Sequence, residues 1–162
     1  MGKPQLPRFV SLSEHRGRLS TLAGLHHEEW SEVSPFKTVA EHEKKLRSRI
    51  SDRPPPETYV LLIEDEVAGS VSLLEHDDIA QVRPDLGPWL ASLFVAPKQR
   101  GHGYGRQLMA HCIQQARGLG FSSLYLYTHT HVEFYAALGW QVVEQRPVRG
   151  EKVTVLEKGT AL

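Results

Sequence analysis

The hydrophobic positions in the first fifty residues recur at helical spacing after one short apolar run. The run RFVSL, residues 8–12, predicts a strand. From residue 13 to residue 30, one helical face would carry Leu19, Leu22, Ala23, His26 and Trp30. A second helix is predicted to begin at Thr38, because Glu41 follows three residues later as in a capping box. Its apolar stripe is thin: Val39, Leu46 and Ile50.

The pattern then changes from helical spacing to short apolar runs. Three prolines in SDRPPPE, residues 51–57, predict an extended connection. TYVLLIED and VAGSVSLLE, which meet at EDE, predict an antiparallel hairpin. PWLASLFVA, residues 88–96, is apolar on both faces and predicts a strand in the centre of a sheet.

The second half of the chain alternates between helices and strands. A helix is predicted from apolar residues at positions 108, 109, 112, 113, 116 and 119, and Gly118 and Gly120 end it. SSLYLYT predicts a strand, and Thr130 with Glu133 predicts the start of a short helix that stops at Gly139. WQVVEQ and KVTVLEK predict two closing strands with a turn near Gly150. The order β-α-α-β-β-β-α-β-α-β-β indicates an α/β fold, with a mixed sheet and helices on its faces, in one domain over residues 1–162.

Composition excludes several classes of protein. No apolar run approaches the roughly 20 residues that cross a bilayer, and MGKPQLPRF lacks the apolar region of a signal peptide, so we expect no membrane partner. Lys plus Arg and Asp plus Glu are balanced at 19 each, so nothing favours nucleic acid. The one cysteine, Cys112, excludes an internal disulfide, is predicted to be a buried structural thiol, and fits a cytoplasmic protein.

One stretch, VAPKQRGHGYGRQLM, places three glycines at alternate positions directly before a predicted helix. Backbone N–H groups at a helix N-terminus favour phosphate, and Arg100 and Arg106 would add charge. The alternative is a plain strand-to-helix turn. A Walker loop is excluded because Gly105 is followed by Arg106 and Gln107. The dinucleotide fingerprint fails because Arg106 stands where its third glycine belongs.

Two separated motifs resemble the GCN5-related N-acetyltransferase (GNAT) superfamily. LFVAPKQRGHGYGRQLM resembles the family's pyrophosphate motif Gln/Arg-x-x-Gly-x-Gly/Ala, with Arg100, Gly103 and Gly105 at the matching positions. FYAALGW, residues 134–140, resembles the family segment Phe-Tyr-x-x-Leu-Gly-Phe. The resemblance extends to the element order along nearly the whole chain. It implies the GNAT fold: a mixed sheet of six to seven strands with helices on both faces.

The resemblance implies that acetyl-CoA is the cosubstrate. Main-chain groups of Leu93, Phe94 and Val95 would pair with the pantetheine arm where two parallel strands splay apart. The pyrophosphate would contact the loop that follows: Arg100, Gly101, His102, Gly103, Tyr104, Gly105 and Arg106. The implied reaction is direct attack of a primary amine on the thioester, without an acyl-enzyme. Tyr135 matches the family tyrosine that acts as general acid; the alternative for Tyr135 is a core aromatic.

The general base is open, because the chain departs from the family pattern here. Family members often carry a carboxylate on the central strand, where this chain has only Ser92. The candidates are Glu29, Asp77, Asp78, Asp85 and His129. His129 is favoured because it follows the SSLYLYT strand, near the point where the two motifs should converge. His129-x-His131 with Glu133 also resembles metal ligands, but without a further His or Cys cluster no metal site is expected.

The resemblance places the acceptor between the first two helices and the loops opposite the cofactor. The predicted acceptor-binding residues are Glu29, Trp30, Asp78 and Trp89, although either tryptophan alone would also suit a core. With Asp85 and Glu28, this surface would be acidic and would suit a cationic amine. YTHTHVEFYAALGW is similar to members that acetylate protein N-termini, so a small-molecule amine and a peptide N-terminus both stay open. A catalytically silent acyl-CoA-binding protein is the alternative function, and a homodimer through the C-terminal strands is conceivable.

Overall fold

The computed structural model describes residues 6–161. Its helices and strands in chain order are β1 (Arg8–Ser11), α1 (Leu19–Trp30), α2 (Val39–Ser48), β2 (Glu57–Ile63), β3 (Glu66–Leu74), β4 (Trp89–Val95), α3 (Tyr104–Gly118), β5 (Ser123–Thr128), α4 (Val132–Ala137), β6 (Gln141–Val148) and β7 (Glu151–Gly159). The strands form one sheet in the order β1-β2-β3-β4-β5-β7-β6. The predicted order of helices and strands is confirmed.

The sheet is mixed, and its single parallel pair lies at its centre. β2 and β3 form the predicted hairpin, and β6 and β7 turn at Arg149 and Gly150. β4 is the fourth of seven strands and lies parallel to β5, with α3 as the crossover. The central strand and the parallel βαβ unit are therefore both confirmed.

Helices cover both faces of the sheet, and β2 shows how. Its residues alternate between two hydrophobic clusters: Val60 and Leu62 pack with α1 and α2, whereas Tyr59 and Leu61 pack with α3. All four side chains are buried. Because successive residues of a strand point to opposite faces, a continuous apolar run is what a strand between two helical layers requires.

The first helix begins later than its apolar spacing predicts. α1 starts at Leu19, and two short 3₁₀ turns precede it. Ser13 belongs to the first of these turns, and its N–H and hydroxyl both donate to the carboxylate of Glu57, at 3.2 and 2.5 Å. These bonds tie the segment to β2, so tertiary contacts determine the backbone here.

The second helix begins as predicted and buries polar residues beside its predicted apolar stripe. The hydroxyl of Thr38 accepts from the N–H of Glu41 at 3.1 Å, which confirms the cap. Of the predicted stripe, Leu46 is buried and Ile50 packs partly buried against the same cluster, whereas Val39 is 39% exposed. His42, Lys45 and Arg49 are buried as well, so this face is more polar than predicted.

The end of α3 agrees with the prediction, whereas the start of α4 does not. α3 ends at Gly118, and Gly120, at φ +96°, donates to Arg117 while Phe121 donates to Ala116, as in a Schellman motif. The predicted Thr130 cap of α4 is wrong: the helix begins at Val132, and the hydroxyl of Thr128 accepts from His131 instead. Over residues 6–161, no helix has both the length and the apolar character to cross a membrane.

Candidate active site

β4 carries a β-bulge in its pairing with β3, and most of its main chain is unpaired on the side of β5. Ser70 faces Phe94 and Ser72 faces Ala91, so three steps along β4 match two along β3. Ser92, inside the bulge, has φ +54°. β4 and β5 pair only at Trp89 and Tyr125, after which the strands separate. The remainder of β4 can therefore hydrogen-bond an extended ligand that contains amides.

A groove of about 510 Å³ runs from this open strand to the N-terminus of α3. Its lining residues come from α1, β4, the loop after β4 and α4: Glu29, Trp30, Leu93, Phe94, Val95, Gln99, Arg100, Gly101, Gly103, Tyr104, Gly105, His131, Phe134 and Tyr135. We call it the glycine groove. All residues predicted to bind the cofactor line it except His102 and Arg106, which are exposed beside it.

The three glycines of the loop keep the mouth of the groove open. Gly101 and Gly103 have φ of +86° and +80°, which favours glycine at both. A Cβ at either position would meet no atom within 4 Å, and a Cβ at Gly105 would meet only Val95, at 3.8 Å. Packing therefore does not require glycine at position 105. The bare backbone leaves space in front of the free N–H groups of the first turn of α3, which suits an anion.

Arg100 lines the glycine groove, and two nitrogens of its guanidinium contact neighbouring groups. Its Nε donates to the carbonyl of Val95 at 2.9 Å, and its Nη2 lies 2.8 Å from Oε2 of Glu29. Glu29 was predicted for the acceptor site, and the structure places it in the glycine groove instead.

A second cavity, of about 420 Å³, lies on the other side of Tyr135. Its lining residues come from α1 and the segment after it, α2, the loop after β3, β4, β5, α4 and the β6–β7 turn: Trp30, Val33, Ser34, Pro35, Lys45, Ile79, Ala80, Ser92, Leu93, Tyr127, His129, Tyr135, Val148, Arg149 and Glu151. We call it the central cavity. Trp30, Leu93 and Tyr135 line both spaces, so the groove and the cavity meet at these three side chains.

Tyr135 is the inward-facing member of the two aromatic residues on α4. Phe134 is 41% exposed, whereas Tyr135 is half-buried and packs edge to face with Trp140 at 6.3 Å between ring centroids. Burial raises the pKa of Tyr135, so its phenol keeps its proton at neutral pH. A protonated phenol at the junction of two cavities can act as a proton donor.

His129 lines the central cavity and is held by a carboxylate. Its Nδ1 lies 3.1 Å from Oε2 of Glu151, so its Nε2 is left to act on other groups. Glu151 belongs to β7 directly after the turn.

The three aspartates considered as bases are bound by other groups of the protein. The carboxylate of Asp77 is buried and accepts backbone N–H bonds from residues 79, 80 and 82. Asp85 binds Arg83 through two bonds, and this guanidinium lowers the pKa of Asp85 to about 2. Asp78 is bound by Arg49 through both oxygens, at 2.6 and 2.7 Å. None of the three lines the central cavity.

Arg49 connects the bulged segment of β4 to Asp78. Asp78 was predicted to bind the acceptor, but it does not line the central cavity. The guanidinium is 1% exposed and donates from Nη1 to the hydroxyls of Ser72 and Ser92. Trp89 does not line the central cavity either: it is 1% exposed, and its indole N–H donates to the carbonyl of Leu86. Of the predicted acceptor residues, only Trp30 lines the cavity.

The charges that line the central cavity are mixed rather than acidic. Lys45 and Arg149 are the cations and Glu151 is the carboxylate. Lys45 was missed because polar residues at helical spacing are typical of a solvent-exposed face. The available signal was the series His42, Lys45, Leu46 and Arg49, which places a leucine between basic residues on one face of α2. Among residues 6–161, no three His, Cys, Asp or Glu side chains are grouped so that they could hold a metal ion.

Comparison with known proteins finds one family and several relatives. The model of the acetyltransferase (GNAT) family matches residues 21–140. N-alpha-acetyltransferase 80 of Mus musculus is 46% identical over 59 residues, 36% of this chain and 18% of that protein. Amino-acid acetyltransferase of Neisseria meningitidis is 34% identical over 82 residues, 46% of this chain and 19% of that protein. The matched segments therefore span less than a fifth of these relatives.

A solved structure has the same fold at low sequence identity. An aminoglycoside 6′-N-acetyltransferase complexed with coenzyme A superimposes with a TM-score of 0.74 at 16% identity. The match covers 96% of this chain and 98% of that chain.

Proposed function

The chain belongs to the acetyltransferase (GNAT) family, and we propose that it transfers an acetyl group from acetyl-CoA to a primary amine. The observation that carries this proposal is the meeting of the glycine groove and the central cavity at Tyr135. A thioester in the groove and an amine in the cavity would be in reach of one proton donor.

The residues of the glycine groove fit acetyl-CoA in shape and chemistry. The open side of β4 would pair with pantetheine amides, and the N–H groups of residues 101–105 with Arg100 would bind the diphosphate. Coenzyme A supplies the thioester that makes the acetyl group transferable. Hydrogen-bond donors on the bulged segment of β4 would stabilise negative charge that develops on the thioester oxygen.

Two side chains would move the protons of the reaction. His129, held by Glu151, would take the proton of the attacking ammonium, directly or through water. The amine nitrogen then forms the C–N bond as the C–S bond breaks. Tyr135 would donate its proton to the leaving thiolate, and its phenolate would regain a proton that the acetylated nitrogen loses, giving an amide and a free thiol.

The proposed acceptor is a primary amine, and the names of two relatives indicate which amines to test first. One is named an amino-acid acetyltransferase and the other an N-alpha-acetyltransferase, so amino acids and peptide N-termini head the panel. We expect the protein to act in the cytoplasm, where acetyl-CoA is available.

Thiol release from acetyl-CoA, measured on a panel of amines, tests the proposal. The panel contains amino acids, short peptides, polyamines and aminoglycosides, with reactions lacking acceptor as the control. We expect acceptor-dependent thiol release, with the acetylated acceptor identified by mass spectrometry. Binding of coenzyme A without release on any amine would contradict the proposal and favour an acyl-CoA-binding protein without activity.

A further inference from the structure

Lys45 lies in the wall of the central cavity as a buried cation that contacts two aromatic rings but has no ion-pair or hydrogen-bond partner among residues 6–161. The residue is 6% exposed, and its Nζ lies 5.4 Å from the centroid of Trp30 and 5.3 Å from that of Phe36. Within residues 6–161, no carboxylate forms an ion pair with Nζ and no acceptor forms a hydrogen bond with it. A buried ammonium in this setting is costly unless an anion joins it.

The neighbouring groups compensate this charge only in part. Asp78 is the nearby carboxylate and its negative charge favours the ammonium, but Arg49 occupies both of its oxygens. Burial lowers the pKa of His26 and of His42, which favours their neutral forms, and an imidazole supplies no negative charge. Burial and the positive charge of Arg49 lower the pKa of Lys45 to about 7 despite Asp78, and a bound anion would oppose that shift.

We propose that Lys45 binds a carboxylate of the acceptor, so that the preferred acceptor carries a carboxylate as well as its amine. This inference rests on the proposed function, since it assigns a substrate class to the same site. Lys45 enters the central cavity from α2, whereas His129 and Glu151 enter it from β5 and β7. An acceptor that spans the cavity would direct its amine to His129 and its carboxylate to Lys45. Arg149, also in the lining, adds a second positive charge.

The surroundings of Lys45 accommodate two sources of this carboxylate. The central cavity, at about 420 Å³, falls within the range of small-molecule sites and fits a free amino acid. Lys45 and Pro35 also line an outer groove of about 440 Å³ along α2, which contains Phe36 and Lys44. Its lining includes two carboxylates, of which Glu41 accepts from the N–H of Lys37 and Asp78 accepts from Arg49. A peptide with an acidic side chain could continue along that groove. The shared chemistry is an amine and a carboxylate in one molecule.

Paired acceptors that differ by one charge test the inference. One pair is leucine against leucinamide, which removes the α-carboxylate. The other is the peptide amide Asp-Ala-Ala against Asn-Ala-Ala, which removes an acidic side chain. kcat/KM is measured for each pair with the wild-type chain, Lys45→Met and Lys45→Arg, and the Kd for coenzyme A and the melting temperature check that each variant is folded.

We expect the wild-type chain to prefer the carboxylate partner of one pair by about tenfold or more, mainly through KM. The pair that shows the preference identifies the source of the carboxylate. Lys45→Met should bring that ratio close to one, and Lys45→Arg, which keeps the cation, should retain it.

Equal use of both partners by the wild-type chain, or an unchanged ratio in Lys45→Met, would overturn the inference while leaving acetyl transfer intact. If a folded Lys45→Arg variant also lost the preference for the carboxylate partner, the preference would depend on the shape of the lysine side chain and not on its charge. That result would also overturn the inference. Absence of thiol release with every acceptor would overturn the proposed function and this inference with it.

Discussion

Glu29 and Arg100 form an ion pair across the glycine groove, with Oε2 of the carboxylate 2.8 Å from Nη2 of the guanidinium. A carboxylate in this position opposes a diphosphate and occupies the arginine that would bind it. We expect Glu29→Gln to tighten coenzyme A binding roughly two- to fivefold, in line with the ~0.2–1 kcal/mol of a partly exposed pair. Isothermal titration calorimetry measures the change. Weaker binding in Glu29→Gln would mean that Glu29 orients Arg100 for the ligand.

Tyr135→Phe removes the proposed proton donor and keeps the ring in place. We expect kcat to fall roughly 10²-fold or more, the usual range for loss of a general acid. The Kd for coenzyme A should change little, because the ring still lines the groove. Stopped assays at saturating acetyl-CoA measure kcat, and Tyr125→Phe, which removes a phenol hydroxyl that lines neither the groove nor the central cavity, is the matched control. Full turnover in Tyr135→Phe would remove this residue from the mechanism.

His129→Gln removes the proposed base, and Glu151→Gln removes the carboxylate that holds it. We expect His129→Gln to lower kcat/KM for the amine roughly 10²-fold. Glu151→Gln should cause a smaller loss, because the imidazole remains and only its orientation is relaxed. Affinity for coenzyme A should be unchanged in both, since neither residue lines the glycine groove. The same substitution at the exposed His76 is the control. Wild-type kcat/KM in His129→Gln would require another base.

The two buried basic groups on α1 and α2 should make the fold less stable as pH falls. Lys45 has a pKa of about 7 in the folded chain, against roughly 10.4 when unfolded, so the unfolded chain binds more protons between these values. The free energy of unfolding should therefore rise with pH over that interval. Burial also lowers the pKa of His26 well below its ordinary value, so stability should fall further below about pH 6.5.

Urea unfolding as a function of pH measures this dependence. Lys45→Met should flatten the profile between about pH 7 and pH 10, because the titrating ammonium is gone. His26→Gln should weaken the acid loss, and its amide can still bond the hydroxyl of Ser70, which His26 Nε2 contacts at 2.9 Å. A profile that is identical in Lys45→Met and the wild-type chain would contradict the burial of a titrating ammonium.

Strands and the glycine loop were predictable because local chemistry determines them. β2 reads as a continuous apolar run since both of its faces are covered, and Gly101 and Gly103, expected to leave the backbone bare, have no neighbouring atom where a Cβ would stand. The motifs around Gly103 and Tyr135 were enough to predict the groove and its junction residue. The start of α1 was not predictable, because the bonds between Ser13 and Glu57 join residues 44 positions apart.

The acceptor side was predicted poorly because long-range pairing decides which charges remain free. Asp78 is an attractive acceptor residue in the sequence, but Arg49, at the end of α2, binds it across the fold. Lys45 lies at helical spacing from the buried His42, but lysine side chains are usually exposed. Its lack of a partner becomes visible only when α2 is packed against the sheet. The sequence pattern therefore indicates the cofactor side of the site better than the acceptor side.

Calorimetric titration of coenzyme A into Gly103→Asp and Gly103→Asn tests the central claim most directly. Both variants place a side chain of the same size at φ +80°, where Asp and Asn are tolerated better than most residues, and only Asp adds a negative charge. The account predicts that both variants fold, that Asn weakens binding only in part, and that Asp abolishes it through repulsion of the diphosphate. Coenzyme A binding by Gly103→Asp at wild-type affinity would contradict the assignment of the glycine groove.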